Sequence, residues 1–167
     1  AYSGGISACE KAGQWQRALA LFSERAAGSA KHWQMVLELL GEIAQSKSAP
    51  NTITYNAGIR SCEEAGQWQS ALELLREMQD RRLDPDDISY SVVISACEKG
   101  GQWHHALSLL SKIGDTRMVP DVISCSAGIS ALAKGEQWHR ALSLLWEMGE
   151  ATVEPNIISY NAAISAC

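Results

Sequence analysis

Residues 101–110 read GQWHHALSLL, two adjacent histidines beside a tryptophan, and five cysteines are spread through the 167-residue chain. Imidazoles can hold a metal or carry a proton, and thiolates can ligate zinc or attack as nucleophiles. Either chemistry requires convergent geometry. Adjacent helical residues diverge by about 100°, so His104 and His105 cannot readily share one ion. No cysteine belongs to a CxxC pair, and zinc-type spacing is absent from the sequence. The sequence also shows no Ser/His/Asp set, phosphate-cradling glycine loop or paired-carboxylate constellation. It therefore predicts no metal, no cofactor, no small-molecule substrate and no enzyme.

The elements that would position any functional group follow a fixed period. Pro50, Pro85, Pro120 and Pro155 are 35 residues apart, as are Trp33, Trp68, Trp103 and Trp138. Tyr55, Tyr90, Cys125 and Tyr160 share another slot of the same repeat. Full units fall at 52–86, 87–121 and 122–156, with a partial unit at 157–167 and an irregular region at 1–51. In the second unit Tyr90, Ile94 and Cys97 lie on one face of a first helix. Gly100-Gly101 ends that helix through the left-handed conformation open to glycine. In the third unit Glu136 replaces the turn glycine, and Gly135 is expected to serve instead. Trp103, Ala106, Leu107, Leu110 and Ile113 form the apolar stripe of a second helix. Asp121 stands where the next first helix needs an N-cap. Strand alternation is absent. The fold class is all-α, an α-solenoid of stacked antiparallel helical hairpins wound as a right-handed superhelix.

The period also disposes of the opening residues. The two positions after Trp15, Trp68, Trp103 and Trp138 are Gln16-Arg17, Gln69-Ser70, His104-His105 and His139-Arg140. A slot that accepts so many polar residues reads as solvated surface, facing away from the Ala–Leu stripe. The tryptophans head that stripe and read as core. Cys9, Cys62, Cys97 and Cys167 share a slot with Leu132, the mark of a small buried apolar position too far from its neighbours for disulfides. Trp15 and Trp33 break the period, and KHWQMVLELLGEI at 31–43 copies a second helix. Either a first helix was lost there or a second helix was duplicated. Helices are expected near 14–25 and 31–46.

Fourteen basic and 19 acidic residues give a net charge of −5, which argues against tight, non-specific nucleic-acid binding while leaving a local groove possible. No apolar run approaches 18 residues, so no membrane span is predicted. The chain begins and ends within a unit and is expected to be a piece of a longer array.

The unit ITYNAGIRSCEEAGQWQSALELLREMQDRRLDPD resembles a pentatricopeptide repeat of the pure 35-residue type. The likeness rests on the Tyr-Asn opening, the Ala-Gly, the Ala-Leu-x-Leu-Leu-x-x-Met helix and the closing Pro-Asp. Such repeats bind single-stranded RNA, one base per repeat read by two or three side chains. The resemblance implies base-reading pairs at Asn56 with Asp86, Ser91 with Asp121 and Ser126 with Asn156, with an expected preference for 5′-U-G-A-3′. It implies base-sandwiching by Ile53, Ile88, Ile123 and Ile158, and phosphate-facing Lys11, Lys99 and Lys134, with Glu64 departing from that slot. It further implies a chloroplast or mitochondrial role in RNA processing, stability, editing or translation. Two alternatives stay open. The Asp and Asn residues could be helix caps alone, and the solenoid could be a protein-binding scaffold of tetratricopeptide type.

Overall fold

The computed structural model describes residues 32–45, 50–115, 120–150 and 153–166. Among these, eight helices account for the regular structure, with no strand: α1 (His32–Gln45), α2 (Thr52–Glu64), α3 (Trp68–Asp80), α4 (Asp87–Lys99), α5 (Trp103–Asp115), α6 (Val122–Lys134), α7 (Trp138–Glu150) and α8 (Ile157–Ala166). Helices α2, α4, α6 and α8 pack in sequence as a row of first helices, each also touching the second helix on either side where one is present. This is an α-solenoid of helical hairpins. The helix expected near 14–25 lies outside the described residues, and the one expected near 31–46 is α1.

Each hairpin is built by the same local chemistry. First helices begin at an Asn or Asp whose side chain accepts the backbone N–H three residues on: Asn51 from Thr54 at 3.0 Å, Asp86 from Ser89 at 2.8 Å, Asp121 from Ser124 at 2.7 Å and Asn156 from Ser159 at 3.0 Å. That bond satisfies one of the N–H groups a helix start leaves unpaired. First helices end with a backbone bond spanning five residues, as in Gln67 N–H to Cys62 C=O at 2.8 Å and Gln102 N–H to Cys97 C=O at 2.8 Å. The turn requires a left-handed residue, supplied by Gly66 at φ +70° and Gly101 at φ +67°.

The third unit departs from expectation here. Gly135 has φ −88°, and Glu136 itself adopts φ +56°. The turn falls to the residue after the C-cap, and Gly135, like Ala65 at φ −83° and Gly100 at φ −79°, is the C-cap. A Cβ built on it would stand 2.7 Å from Trp103 Nε1 and 2.8 Å from Cγ, and Gly100 is held under Trp68 in the same way. These glycines let the tryptophan of one unit close over the end of the next first helix. Trp68 and Trp103 are accordingly half-buried at unit junctions, whereas Trp138, with no such glycine facing it among the described residues, is 44% exposed. The expectation of a core tryptophan therefore fails at Trp138.

The core runs along the stack through Tyr55, Ile59, Cys62, Ile94, Cys97, Ile129 and Leu132 on first helices, with Leu74, Met78, Ile113 and Met148 from second helices. Leu40 of α1 packs on Gly58 as Leu110 packs on Gly128, so α1 meets α2 in the manner of a second helix. Cys62, Cys97 and Cys125 are buried and unbridged, and burial pushes each thiol up to about 11.

Candidate nucleic-acid interface

The second residue of every first helix is an isoleucine turned away from the core. Ile53, Ile88, Ile123 and Ile158 are 65%, 52%, 65% and 64% exposed, an apolar ladder repeated at each step of the stack. Folding alone gives no reason to keep four large aliphatic side chains in water at one position. They flank the helix starts, where the paired polar residues also lie.

The structure joins those pairs to different degrees. Asn56 Nδ2 donates to both carboxylate oxygens of Asp86, at 3.0 and 3.2 Å. Ser126 reaches Asn156 through Ser159, with the two hydroxyls 2.7 Å apart and Ser159 Oγ donating to Asn156 Oδ1 at 3.1 Å. Ser91 and Asp121 share no hydrogen bond; Ser91 Oγ donates back to the Ile88 carbonyl at 3.1 Å, and Asp121 Oδ1 accepts from Ser124 Oγ at 2.6 Å.

Thr54, Ser89, Ser124 and Ser159 are the part that the sequence reading missed. All four are buried, sit third in their first helix, and donate a hydroxyl to the Asn or Asp that precedes the helix. Ser89 also donates to Asn56 Oδ1 at 2.6 Å, tying both members of a pair together. The signal was present as a hydroxyl residue recurring three positions after each Asx, the pattern of a capping box. Capping and reading do not compete in this arrangement. Among the described residues Asp121 accepts hydrogen bonds only on Oδ1, which leaves Oδ2 as an acceptor.

Burial disfavours the Asp86 carboxylate charge, but hydrogen bonds from Ser89 and Asn56 outweigh it and hold the group below the ordinary carboxylate range. A persistent carboxylate is an acceptor that suits an imino N–H donor on a base edge.

The lysines carry ion pairs that the repeat pattern did not announce. Lys99 Nζ lies 2.6 Å from Glu63 and Lys134 Nζ 2.6 Å from Glu98, so both are ion-paired to the preceding first helix. Glu64 is exposed and Lys11 lies outside the described residues. Among the described residues no group of three or more His, Cys, Asp or Glu converges. His104 is exposed and stacks on Trp103. His105 is not plain solvated surface: it is half-buried and meets the Trp68 ring edge-on at 5.3 Å. One unit on, Arg140 covers Trp103 at 5.2 Å, so this slot seals the tryptophan of the preceding unit.

Stacked hairpins that present an apolar ladder and polar pairs from their first helices define a helical repeat protein with an extended binding face. The PPR repeat family matches residues 50–99, the pentatricopeptide repeat domain residues 108–167, and the PPR repeat residues 6–24 and 88–115. The chain belongs to the pentatricopeptide repeat family. Comparison with curated protein sequences finds no match.

Solved structures share the fold. The PPR domain of Arabidopsis thaliana protein-only RNase P 1, in complex with tRNA, has a TM-score of 0.80 at 13% identity, covering 91% of this chain and 78% of that one. The maize pentatricopeptide repeat protein PPR10 has a TM-score of 0.72 at 23% identity, covering 97% of this chain and 23% of that one. PPR10 in complex with an 18-nt psaJ RNA element has a TM-score of 0.65 at 22% identity, covering 98% and 26%. The chain thus spans about a quarter of the length of PPR10.

Proposed function

We propose that this chain binds single-stranded RNA along its row of first helices, one base per unit, without catalysing a reaction. The observation that carries the reading is the ladder of exposed isoleucines beside hydrogen-bonded polar pairs. A flat base can insert between successive aliphatic side chains, and an Asx side chain at the same level can then meet its edge. Asp86 and Asp121 offer acceptors for the imino N–H of uracil or guanine, and Asn156 offers the donor and acceptor that adenine requires. The family's reading gives 5′-U-G-A-3′ across the three full units. The crystallised relatives bound to RNA support this use of the fold. A role in chloroplast or mitochondrial RNA processing, stability, editing or translation follows from the same family resemblance.

Stacking contributes roughly 1–3 kcal/mol per base before ordering costs, so three units should bind in about the high-micromolar range. Fluorescence anisotropy with short RNAs differing only in the middle base tests the reading. Asp121→Asn should move preference from U-G-A toward U-A-A by about 1–3 kcal/mol, the range for bidentate base contacts in DNA. Asn can still accept from Ser124, so folding should be unchanged. Identical ranking by parent and variant would leave Asp121 a cap and nothing more. The net charge of −5 and the two neutralised lysines favour a protein-binding scaffold as the second reading. Absence of binding to any single-stranded RNA would select it.

A further inference from the structure

Lys99 and Lys134 stand eleven residues after Ile88 and Ile123. Eleven residues make about three turns of helix plus 20°, so each lysine shares a face with its exposed isoleucine, roughly 16 Å along the axis. Both could therefore meet the backbone of an RNA whose bases rest on the isoleucines. Each is instead held 2.6 Å from the carboxylate of Glu63 or Glu98. The same glutamate oxygens accept Ser95 Oγ at 3.0 Å and Ser130 Oγ at 2.9 Å. The glutamate side chains are 16% and 17% accessible and the lysines 46% and 50%, so the acid is anchored and the ammonium lies outermost.

We infer that Glu63 and Glu98 act as specificity-determining residues: by neutralising Lys99 and Lys134 they suppress sequence-independent attraction to the RNA backbone. The inference rests on the RNA-binding reading above. A phosphate approaching a lysine meets a nearly neutral pair and releases little counterion, so affinity is left to the base contacts. Phosphate contacts position a nucleic acid but carry no sequence information. Their suppression keeps wrong sequences weak.

The test is the salt dependence of binding by the whole 167-residue chain. Glu63→Gln with Glu98→Gln removes both charges while each amide oxygen can still accept from Ser95 or Ser130, and circular dichroism checks that helicity is kept. Anisotropy is read with a U-G-A RNA and a scrambled RNA of equal composition. Each unmasked lysine adds about −0.7 to the slope of log K against log salt for single strands, so the double variant should steepen by about 1.4. Its gain over the parent should then differ by roughly sevenfold across a fourfold range of salt, equally for both RNAs. Replacing all four residues, with Lys99→Gln and Lys134→Gln added to the glutamate variants, should return the slope to that of the parent, because the site is again neutral. A parent that binds RNA with a slope the glutamates do not alter, or a steepened slope that persists when the lysines are also replaced, overturns the inference alone. A parent that binds neither RNA at low salt overturns the RNA reading itself.

Discussion

Two neighbouring residues at the end of α6 should respond to substitution in opposite directions. Glu136 holds φ +56°, a conformation that costs a non-glycine L-residue about 1–2 kcal/mol. Glu136→Gly removes that strain but adds about 0.5–1 kcal/mol of unfolded-chain entropy, so the net effect should be a gain of up to about 1.5 kcal/mol. Gly135, at φ −88°, could take alanine without backbone strain. Its new Cβ would, however, stand 2.7 Å from Trp103 Nε1 and 2.8 Å from Cγ. Trp103 is half-buried and can tilt outward only by giving up packing at the junction and its contact with Arg140. Gly135→Ala should therefore cost about 1–2 kcal/mol, within the range for overpacking. Urea titration of the two variants and the parent, followed by tryptophan fluorescence and by circular dichroism, measures both effects. A neutral Gly135→Ala would refute the contact argument, and a destabilising Glu136→Gly would refute the strain argument, since it would mean that the left-handed conformation costs Glu136 nothing.

Further outcomes concern the cysteines, the Asp86 cap and the end of the stack. With thiols raised to about 11 by burial, Cys62, Cys97 and Cys125 should resist iodoacetamide at pH 8 in the native chain and react after unfolding, as read by peptide mass mapping. Because the Asp86 carboxylate is held low, its contribution to stability is present above its unfolded value of about 3.9 and lost as pH falls through its lower folded value. The stability difference between the parent and Asp86→Asn should accordingly shrink in that acid window, measured by urea titration at stepped pH, and a constant gap would contradict the shift. In α8, Ile158, Tyr160 and Ile164 are 64%, 51% and 71% exposed, so amide exchange should be faster there than in α4 or α6, and equal protection would show that α8 needs no further neighbour.

The sequence by itself determined the architecture, because a 35-residue period repeats each local signal until chance agreement is excluded. Asx residues before each first helix, apolar stripes at helical spacing and glycine-bearing turns are local chemistry, and local chemistry is legible along a chain. The same period made the cysteine slot readable as core, since Cys and Leu alternate in it, and Cys62, Cys97 and Leu132 are indeed fully buried. It also set the isoleucines, the polar pairs and the lysines on first helices. What only the tertiary structure decided lies at the contacts between units, some 32 to 37 positions apart in the chain. That Gly135 has no room for a side chain follows from Trp103 pressing on it, and no reading of α6 alone contains that ring. That His105 seals Trp68 follows from the way α5 stacks beside α3. That Lys99 and Lys134 are neutralised follows from Glu63 and Glu98 reaching across the junction. Helix propensity and capping act over one turn, whereas these contacts depend on the pitch of the stack, and that pitch is set only when the units pack against one another.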